Sequence, residues 1–417
     1  MRVFKFGGAS VKNADGVRNL ADVLRHFPED DLLIVVSAMG KTTNALEDLV
    51  WTWSAGASTA TVLRPIEEDH IRVLQEVAPG DHEAAAALTG SFDELKKILA
   101  TPMGSAIDPA YDQVVSFGEL WSTLIVSAHL RSVGLANRWI DAREIVRTDG
   151  RHRAANVDWT ACQDAIAGLL GDLPPAPARL VTQGFIGRAP DGRTTTLGRE
   201  GSDFSAAIFA YLLDADDVTI WKDVPGMFNA DPKRFKDTRL LHHISYREAI
   251  ELSYFGASVI HPRTLQPLQR KNIPLYVRSF INLDAPGSTI NDHSDNDALI
   301  PSFILKPGMV LLSITPRDLS FVVEENLSTI FELFVKHGVR IDLMQNSAVA
   351  FTVCLQNDAR VKPLVLDLRR EFEVLWNEPT DLLTVRHPDE ATLRALLAGR
   401  EVLVEQRSRA TARFVLK

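Results

Sequence analysis

The chain has 417 residues, 46% hydrophobic and 24% charged, and its 45 Lys+Arg against 54 Asp+Glu leave a net charge of −9. That length exceeds the ~250–300 residues one core can serve and predicts two or three domains. The composition excludes collagen-like, disordered and disulfide-scaffold classes, and the acidic balance speaks against broad nucleic-acid or anionic-membrane binding. A small anionic ligand stays open, because a few cations focused in a cleft can hold one. Cys162 and Cys354 are too few and too scattered for a disulfide framework or a zinc site. The apolar runs are strand-sized, and the N-terminus lacks the charged-then-apolar order of a signal peptide. A cytoplasmic, multidomain protein is expected.

Val3–Phe6 reads as a strand ending in Gly7-Gly8, and residues 15–27 read as an amphipathic helix with Val17, Leu20, Val23 and Leu24 at helical spacing. Leu32–Val36 is a continuous apolar, largely β-branched run of the kind buried on both faces of a parallel sheet. Residues 44–133 form a largely helical insertion. Ala136–Ile140, Arg179–Gln183 and Asp217–Trp221 follow as strands, with helices at Ser202–Leu213 and Tyr246–Phe255. This alternation predicts an α/β domain with a mostly parallel sheet over residues 1–295, closed by the polar stretch Asn282–Asp297.

Beyond it the pattern changes to strands at Met309–Thr315, Val339–Gln345, Val349–Leu355 and Phe372–Trp376, with helices at Leu327–His337 and Ala359–Glu371. That βαββαβ order predicts a ferredoxin-like small domain, over residues 296–378 with its linker strand. Leu382–Arg386, Glu390–Ala398, Glu401–Gln406 and Ala412–Leu416 begin a second copy over 379–417 that stops short. The shortened copy needs a strand from elsewhere, and Ser302–Leu305 is the nearest unpaired candidate.

Four segments carry chemistry. Lys5-Phe6-Gly7-Gly8-Ala9-Ser10 places a lysine at a strand end before two glycines, whose backbone N–H groups can approach phosphate oxygens unobstructed. It matches neither a Walker loop nor a dinucleotide fingerprint, and a plain turn is the competing reading. Ser37-Ala38-Met39-Gly40-Lys41-Thr42-Thr43-Asn44 suits an anion, or else Thr43 or Asn44 merely caps a helix. In Gly198-Arg199-Glu200-Gly201-Ser202-Asp203, Arg199 can grip a carboxylate bidentately, while Asp203 in the first helical turn suits capping as well. Trp221-Lys222-Asp223 and the loop through Phe228 to Lys233 suit a nucleotide or a solvated turn. His242, His243 and His261 have no metal-ligand spacing.

Taken together, KFGGASV, SAMGKTTN, SFGEL, TLGREGSD, WKDVPGMFNADP and FGASVIHP resemble the amino-acid kinase fold, specifically aspartate kinase, and the tail resembles that family's paired ACT domains. The resemblance spans essentially the whole chain. With no homoserine dehydrogenase segment following, it is to the monofunctional form. It implies ATP-dependent phosphorylation of the L-aspartate β-carboxylate, the first step of lysine, threonine and methionine biosynthesis. Lys5 would stabilise the phosphoryl group, with Gly7, Gly8 and Ser10 shaping its cradle and Asp203 holding Lys5. Ser37 would lie near the phosphates. Arg199 would clamp the substrate α-carboxylate and Glu119 its amino group, with Thr43 and Ser202 assisting. Lys222, Asp223, Phe228 and Lys233 would line the ATP site. Magnesium would travel on the phosphates, with no protein ligand assigned. Gln345, Asn346 and Ser347 are the candidates for a lysine or threonine effector site, with a polar turn as the alternative, and a homodimer or higher homo-oligomer through the ACT domains is implied.

The chain departs from the family pattern at three positions. Ala9 replaces a threonine, Glu200 stands where glycine is frequent, and Ser258 occupies a position commonly held by a nucleotide-reaching lysine. Lys222, where threonine is common, would supply a cation in its place. These departures keep open the reading of an inactive amino-acid sensor; a kinase of another amino acid, such as glutamate or acetylglutamate, is a separate alternative, against which the Glu119 and Arg199 pair and the ACT-like tail count.

Overall fold

Five consecutive apolar residues, Leu32–Val36, are wholly buried, and only a strand covered on both faces can place them so. The computed structural model describes residues 1–417 except 105, 172, 174, 175, 258, 259 and 319. The chain opens with β1 (Arg2–Phe6), α1 (Ala14–Arg25), β2 (Leu32–Val36), α2 (Thr42–Ser54), α3 (Ala60–Val77), α4 (His82–Leu99), α5 (Ile107–Val115) and α6 (Phe117–Ser132). It continues through β3 (Arg138–Ile140), α7 (Ala142–Ile145), α8 (Trp159–Leu170), β4 (Arg179–Gln183), the hairpin β5 (Ile186–Arg188) and β6 (Thr194–Thr196), α9 (Gly201–Leu213) and β7 (Val218–Lys222). Then come β8 (His243–Ser245), α10 (Tyr246–Phe255), α11 (Pro262–Lys271), β9 (Leu275–Ser279) and β10 (Ser288–Asn291).

The eight-stranded sheet runs β3-β4-β2-β1-β7-β9-β10-β8 and is parallel except between β9 and β10. From β1 the chain builds outward on one side through β2 and then crosses to β7 on the other. A crevice opens where strand order reverses in this way, at the carboxyl ends of the strands. Side-chain caps set several helix starts: Asn13 accepts from Gly16 N at 3.0 Å and Asp81 from Ala84 N at 2.9 Å. The helical stretch α2–α6 has an aromatic centre, where Phe92 stacks on Trp121 at 3.9 Å and the indole N–H of Trp121 donates to Ser91 Oγ.

The described chain groups into two units. The first comprises Met1–Met227, Leu240–Ile250 and a stretch ending at Ser294; the second comprises Phe228–Arg239, a stretch beginning at Glu251, and Asp295–Lys417. The division is thus not a single cut near residue 295. Residues 228–239 join the later unit because Phe303 N donates to Asn229 O at 2.7 Å, Asn229 Nδ2 donates to Pro301 O at 2.8 Å, and the rings of Phe235 and Phe303 meet edge-on.

The second unit contains β11 (Ser302–Pro316), α12 (Glu324–His337), β12 (Ile341–Asn346), β13 (Phe351–Gln356), α13 (Val361–Leu368), β14 (Phe372–Arg386), α14 (Glu390–Leu397), β15 (Val402–Arg407) and β16 (Thr411–Leu416). Its sheet is antiparallel in the order β12-β13-β11-β14-β16-β15. Four segments expected as separate strands are two strands of 15 residues each. Ser302–Lys306 pairs with Leu382–Arg386, and Met309–Pro316 pairs with the earlier part of β14. Register shifts between Lys306 and Leu311 absorb the interruption at Pro307-Gly308. Proline and glycine break a strand pattern in sequence, yet a bulge lets the ladder continue past them. Ser302–Lys306 is therefore the strand beside the shortened second half, whose core is Leu383, Val385, Leu393, Ala412, Phe414 and Leu416.

Phe414 is fully buried in that core. Phe414→Ala is expected to cost about 3–5 kcal/mol, read as an earlier urea transition of the second unit.

Candidate active site

The ends of three neighbouring strands and the start of one helix line a cleft of about 590 Å³ in the first unit. β1 contributes Lys5 and the following Gly8, β2 is followed by Ser37 and Ala38, β7 ends in Lys222, and α9 begins Gly201-Ser202-Asp203. Gly8 is there because nothing larger fits: a Cβ would fall 2.7 Å from the Ala38 carbonyl oxygen and 2.9 Å from that of Gly40. Gly40 N donates to the Gly8 carbonyl at 3.0 Å, so the turns after β1 and β2 pack backbone against backbone. Ser10 ties this turn to β7, its N–H donating to Gly7 O at 2.9 Å and its hydroxyl to Trp221 O at 3.4 Å.

Lys5 Nζ lies 2.6 Å from Asp203 Oδ1, and Lys222 Nζ lies 3.7 Å from Asp203 Oδ2. The Asp203 side chain is only 4% exposed. Burial alone pushes its carboxyl up, but the two ammonium groups outweigh burial and hold it below the usual carboxylate range. The α9 N-cap is Glu200, whose side chain makes no cap hydrogen bond. Asp203 serves the lysines and is not merely a helix cap.

Glu119 is held differently. It sits in the first turn of α6 and is 3% exposed. Its Oε1 accepts from Ala38 N at 3.3 Å, while Oε2 is buried with no hydrogen-bond partner among the described residues. Desolvation dominates here and pushes the carboxyl up to about 8. A buried carboxyl with an unsatisfied oxygen facing a polar cleft is a receptor for a cation or a donor. Gly118 lets α6 approach, since a Cβ there would meet the Ala38 Cβ at 3.0 Å.

Thr43 also lines the cleft. The N-cap of α2 is Lys41, with no side-chain cap hydrogen bond, so Thr43 is no helix cap. Arg199 and Ser202 complete the assigned lining residues. Arg199 is exposed and makes no ion pair among the described residues. Glu200 has φ +54°, in the left-handed region that glycine prefers.

Other expected residues fall elsewhere. Gly7 borders the lysine, with room for a Cβ only at 3.2 Å from Lys5 Nζ, and Ala9 and Asp223 are exposed and do not line the cleft. Phe228 and Lys233 belong to the second unit, where Lys233 is exposed and its N–H donates to Asp231 Oδ1. Gln345, Asn346 and Ser347 are exposed at the end of β12, and Ser347 N donates to Ala350 O at 2.9 Å. Ser258 lies outside the described residues. The cleft also holds Glu47, Tyr111, Arg153 and Phe185, which the sequence reading passed over. Glu47 had one signal, its place a single helical turn after Thr43 on α2. Arg153 and Phe185 had none, because their loops meet the cleft only in three dimensions.

The chain is similar to known proteins over most of its length. The amino acid kinase family model matches residues 1–279. The lysine-sensitive aspartokinase 3 of Escherichia coli (strain K12) is 33% identical over 85% of this chain and 78% of its own. The bifunctional aspartokinase/homoserine dehydrogenase 1, chloroplastic, of Zea mays is 32% identical over 84% of this chain, which spans only 39% of that relative's length. The crystal structure of E. coli aspartokinase III with aspartate and ADP (R-state) superposes with a TM-score of 0.82 at 27% identity, covering 100% of this chain and 96% of that one. A parallel sheet with a lysine–aspartate–lysine centre at its switch point, a matching family model and aspartokinase relatives lead to one conclusion: the chain belongs to the amino acid kinase family, among the aspartokinases.

Proposed function

We propose that this chain transfers the γ-phosphoryl group of ATP to the β-carboxylate of L-aspartate, forming 4-phospho-L-aspartate and ADP, the first step toward lysine, threonine and methionine. The observation that carries this is the separation of charges in one cleft. A paired cationic centre, Lys5 and Lys222 on Asp203, stands with a guanidinium, Arg199, and a buried carboxyl, Glu119, that are respectively unpaired and unsatisfied among the described residues.

The β-carboxylate has a reference pKa near ~3.9 and is ionised at neutral pH, so it needs no general base. Its oxygen forms the new bond to the γ-phosphorus as the bond from that phosphorus to the bridging β,γ-oxygen breaks, and no proton moves. Repulsion between two anions is the obstacle, and Lys5 opposes it by sitting charged where the transferring oxygens pass. Asp203 keeps Lys5 in place. Gly8 and Ser37 form the phosphate cradle, with Gly7 bordering Lys5 and Ser10 tying the turn to β7, and Lys222 faces the nucleotide. Arg199 takes the α-carboxylate and Glu119 the ammonium, with Thr43 and Ser202 beside them. Among the described residues no group of three or more His, Cys, Asp or Glu is placed to hold a metal ion. Magnesium would be carried by the ATP phosphates and water, where it would help neutralise their charge.

The paired Lys5 and Asp203 argue against an inactive sensor. A lysine effector in the second unit fits the lysine-sensitive relative, and a homo-oligomer through that unit is the corresponding assembly. Both cysteines are free and buried, as suits a reducing, cytoplasmic setting. No helix among the described residues is long and apolar enough to cross a membrane.

Two outcomes are expected. Lys5→Met lowers kcat by about 10²–10³-fold while the KM for ATP moves only a few-fold. The readout is aspartate-dependent hydroxamate formation with hydroxylamine, which traps an acyl phosphate and no other phosphorylated product; near-normal turnover would remove the assignment. For Glu119, the folded carboxyl titrates at about 8 against an ordinary 4.5, so ionisation opposes folding increasingly as pH rises between those values. Glu119→Gln should leave Tm unchanged near pH 4, raise it above pH 8, and weaken aspartate binding. Aspartate binding to the wild type at pH 7 should release a proton, seen as calorimetric heats that vary with buffer ionisation enthalpy.

A further inference from the structure

Six described residues other than glycine adopt left-handed backbone angles: Arg153, Phe185, Glu200, Asp214, Asn272 and His387. Asp214 and Asn272 are helix C-caps, where short polar residues accept that conformation readily. Arg153, Phe185 and Glu200 are not residue types that favour it, and all three line the one cleft. Strained backbone of this kind persists where the surroundings over-determine it, and it concentrates at functional sites.

Arg153 is the most firmly held of the three. Its N–H donates to both oxygens of Asp112, at 3.1 and 3.0 Å. Asp112 is fully buried and also takes His152 Nδ1 at 2.8 Å and the Thr196 hydroxyl at 2.6 Å. The preceding residue of the same helix, Tyr111, lies under the guanidinium, 4.1 Å from ring centroid to Cζ, and the Tyr111 hydroxyl donates to Glu47 Oε1 at 2.5 Å. Helix α5 therefore holds the backbone of Arg153 with Asp112 and its side chain with Tyr111. The Arg153 peptide abuts the Arg199 turn, since a Cβ on Gly198 would fall 3.1 Å from the Arg153 carbonyl oxygen. Among the described residues one ion pair draws the guanidinium outward, to Asp108 at 3.5 Å, with both side chains substantially exposed, and such a pair is weak.

We propose that Arg153 is a specificity-determining residue, a second guanidinium that joins Arg199 on the α-carboxylate of the amino-acid substrate. This rests on the aspartate reading of the cleft. A cation stacked on a ring at an enforced backbone angle is preorganised, so it loses little freedom when the carboxylate arrives. Two guanidiniums also favour a substrate carrying an α-carboxylate over one whose α-carbon bears a neutral group.

The test uses the full chain with two substrates, L-aspartate and its α-amide, which keeps the ammonium and the β-carboxylate. Arg153→Gln and Arg153→Gly should each raise the KM for aspartate about tenfold, with kcat and the KM for ATP within about twofold. For the α-amide, kcat/KM should match the wild type. Arg153→Gly should not lower Tm, because glycine suits φ +63°. Unchanged aspartate KM in both variants, or an equal loss on both substrates together with a lowered Tm, overturns the proposal. A wild-type chain that does not phosphorylate aspartate removes the reading beneath it and this inference as well, whereas an active wild type with unmoved variants removes this inference alone.

Discussion

One buried carboxylate organises the first unit. Asp203 stands at the start of α9, Lys5 at the end of β1 and Lys222 at the end of β7, and the ion pairs bind three elements that are far apart in the chain. Removing a carboxylate from water is costly, and two ammonium groups offset that cost here. Deleting one partner of such a pair leaves a buried uncompensated charge, which is why its members constrain one another. The same arrangement holds the Lys5 ammonium in place before any nucleotide arrives. Electrostatic preorganisation of this kind assists phosphoryl transfer, in which charge stabilisation does most of the chemistry.

The second carboxyl in the cleft shows the converse use of burial. Glu119 and Asp203 are comparably buried, yet one is pushed up to about 8 and the other is held below its ordinary range. The difference lies in partners: Asp203 has two ammonium groups paired with it, whereas burial of Glu119 outweighs the backbone N–H groups and the Lys5 charge that act on it. A site that leaves one carboxyl unsatisfied and satisfies the other separates their tasks, one for receiving a ligand's positive group and one for holding the protein's own.

In the second unit the organising constraint is continuity of backbone. β11 and β14 each run 15 residues and serve both halves of one six-stranded sheet. Val310, Leu312 and Ile314 face one core while Met309 and Leu311 face another, the period of two that a strand imposes. The bulged stretch about Pro307-Gly308 lets a single strand satisfy two cores without ending its ladder.

Much of this was legible in the residues themselves. Leu32–Val36 announces a buried parallel strand by its unbroken apolar character, and Tyr246–Phe255 announces a helix, because local periodicity follows from burial on one or two faces. The glycines at 8 and 118, the lysine at 5 and the Arg199–Asp203 turn mark the site through residue types that only particular chemistry and close approach require. Tertiary structure alone decided what those residues do to one another. Asp203 is a helix cap or a lysine partner depending on what lies opposite, and opposite lie residues 5 and 222. Glu119 is acidic or neutral depending on how many donors reach it. Arg153, Phe185 and Glu200 enter the cleft from separate loops, at backbone angles their side chains do not announce. Hydrophobic pattern is a property of neighbours in sequence, whereas charge state and strain are properties of neighbours in space.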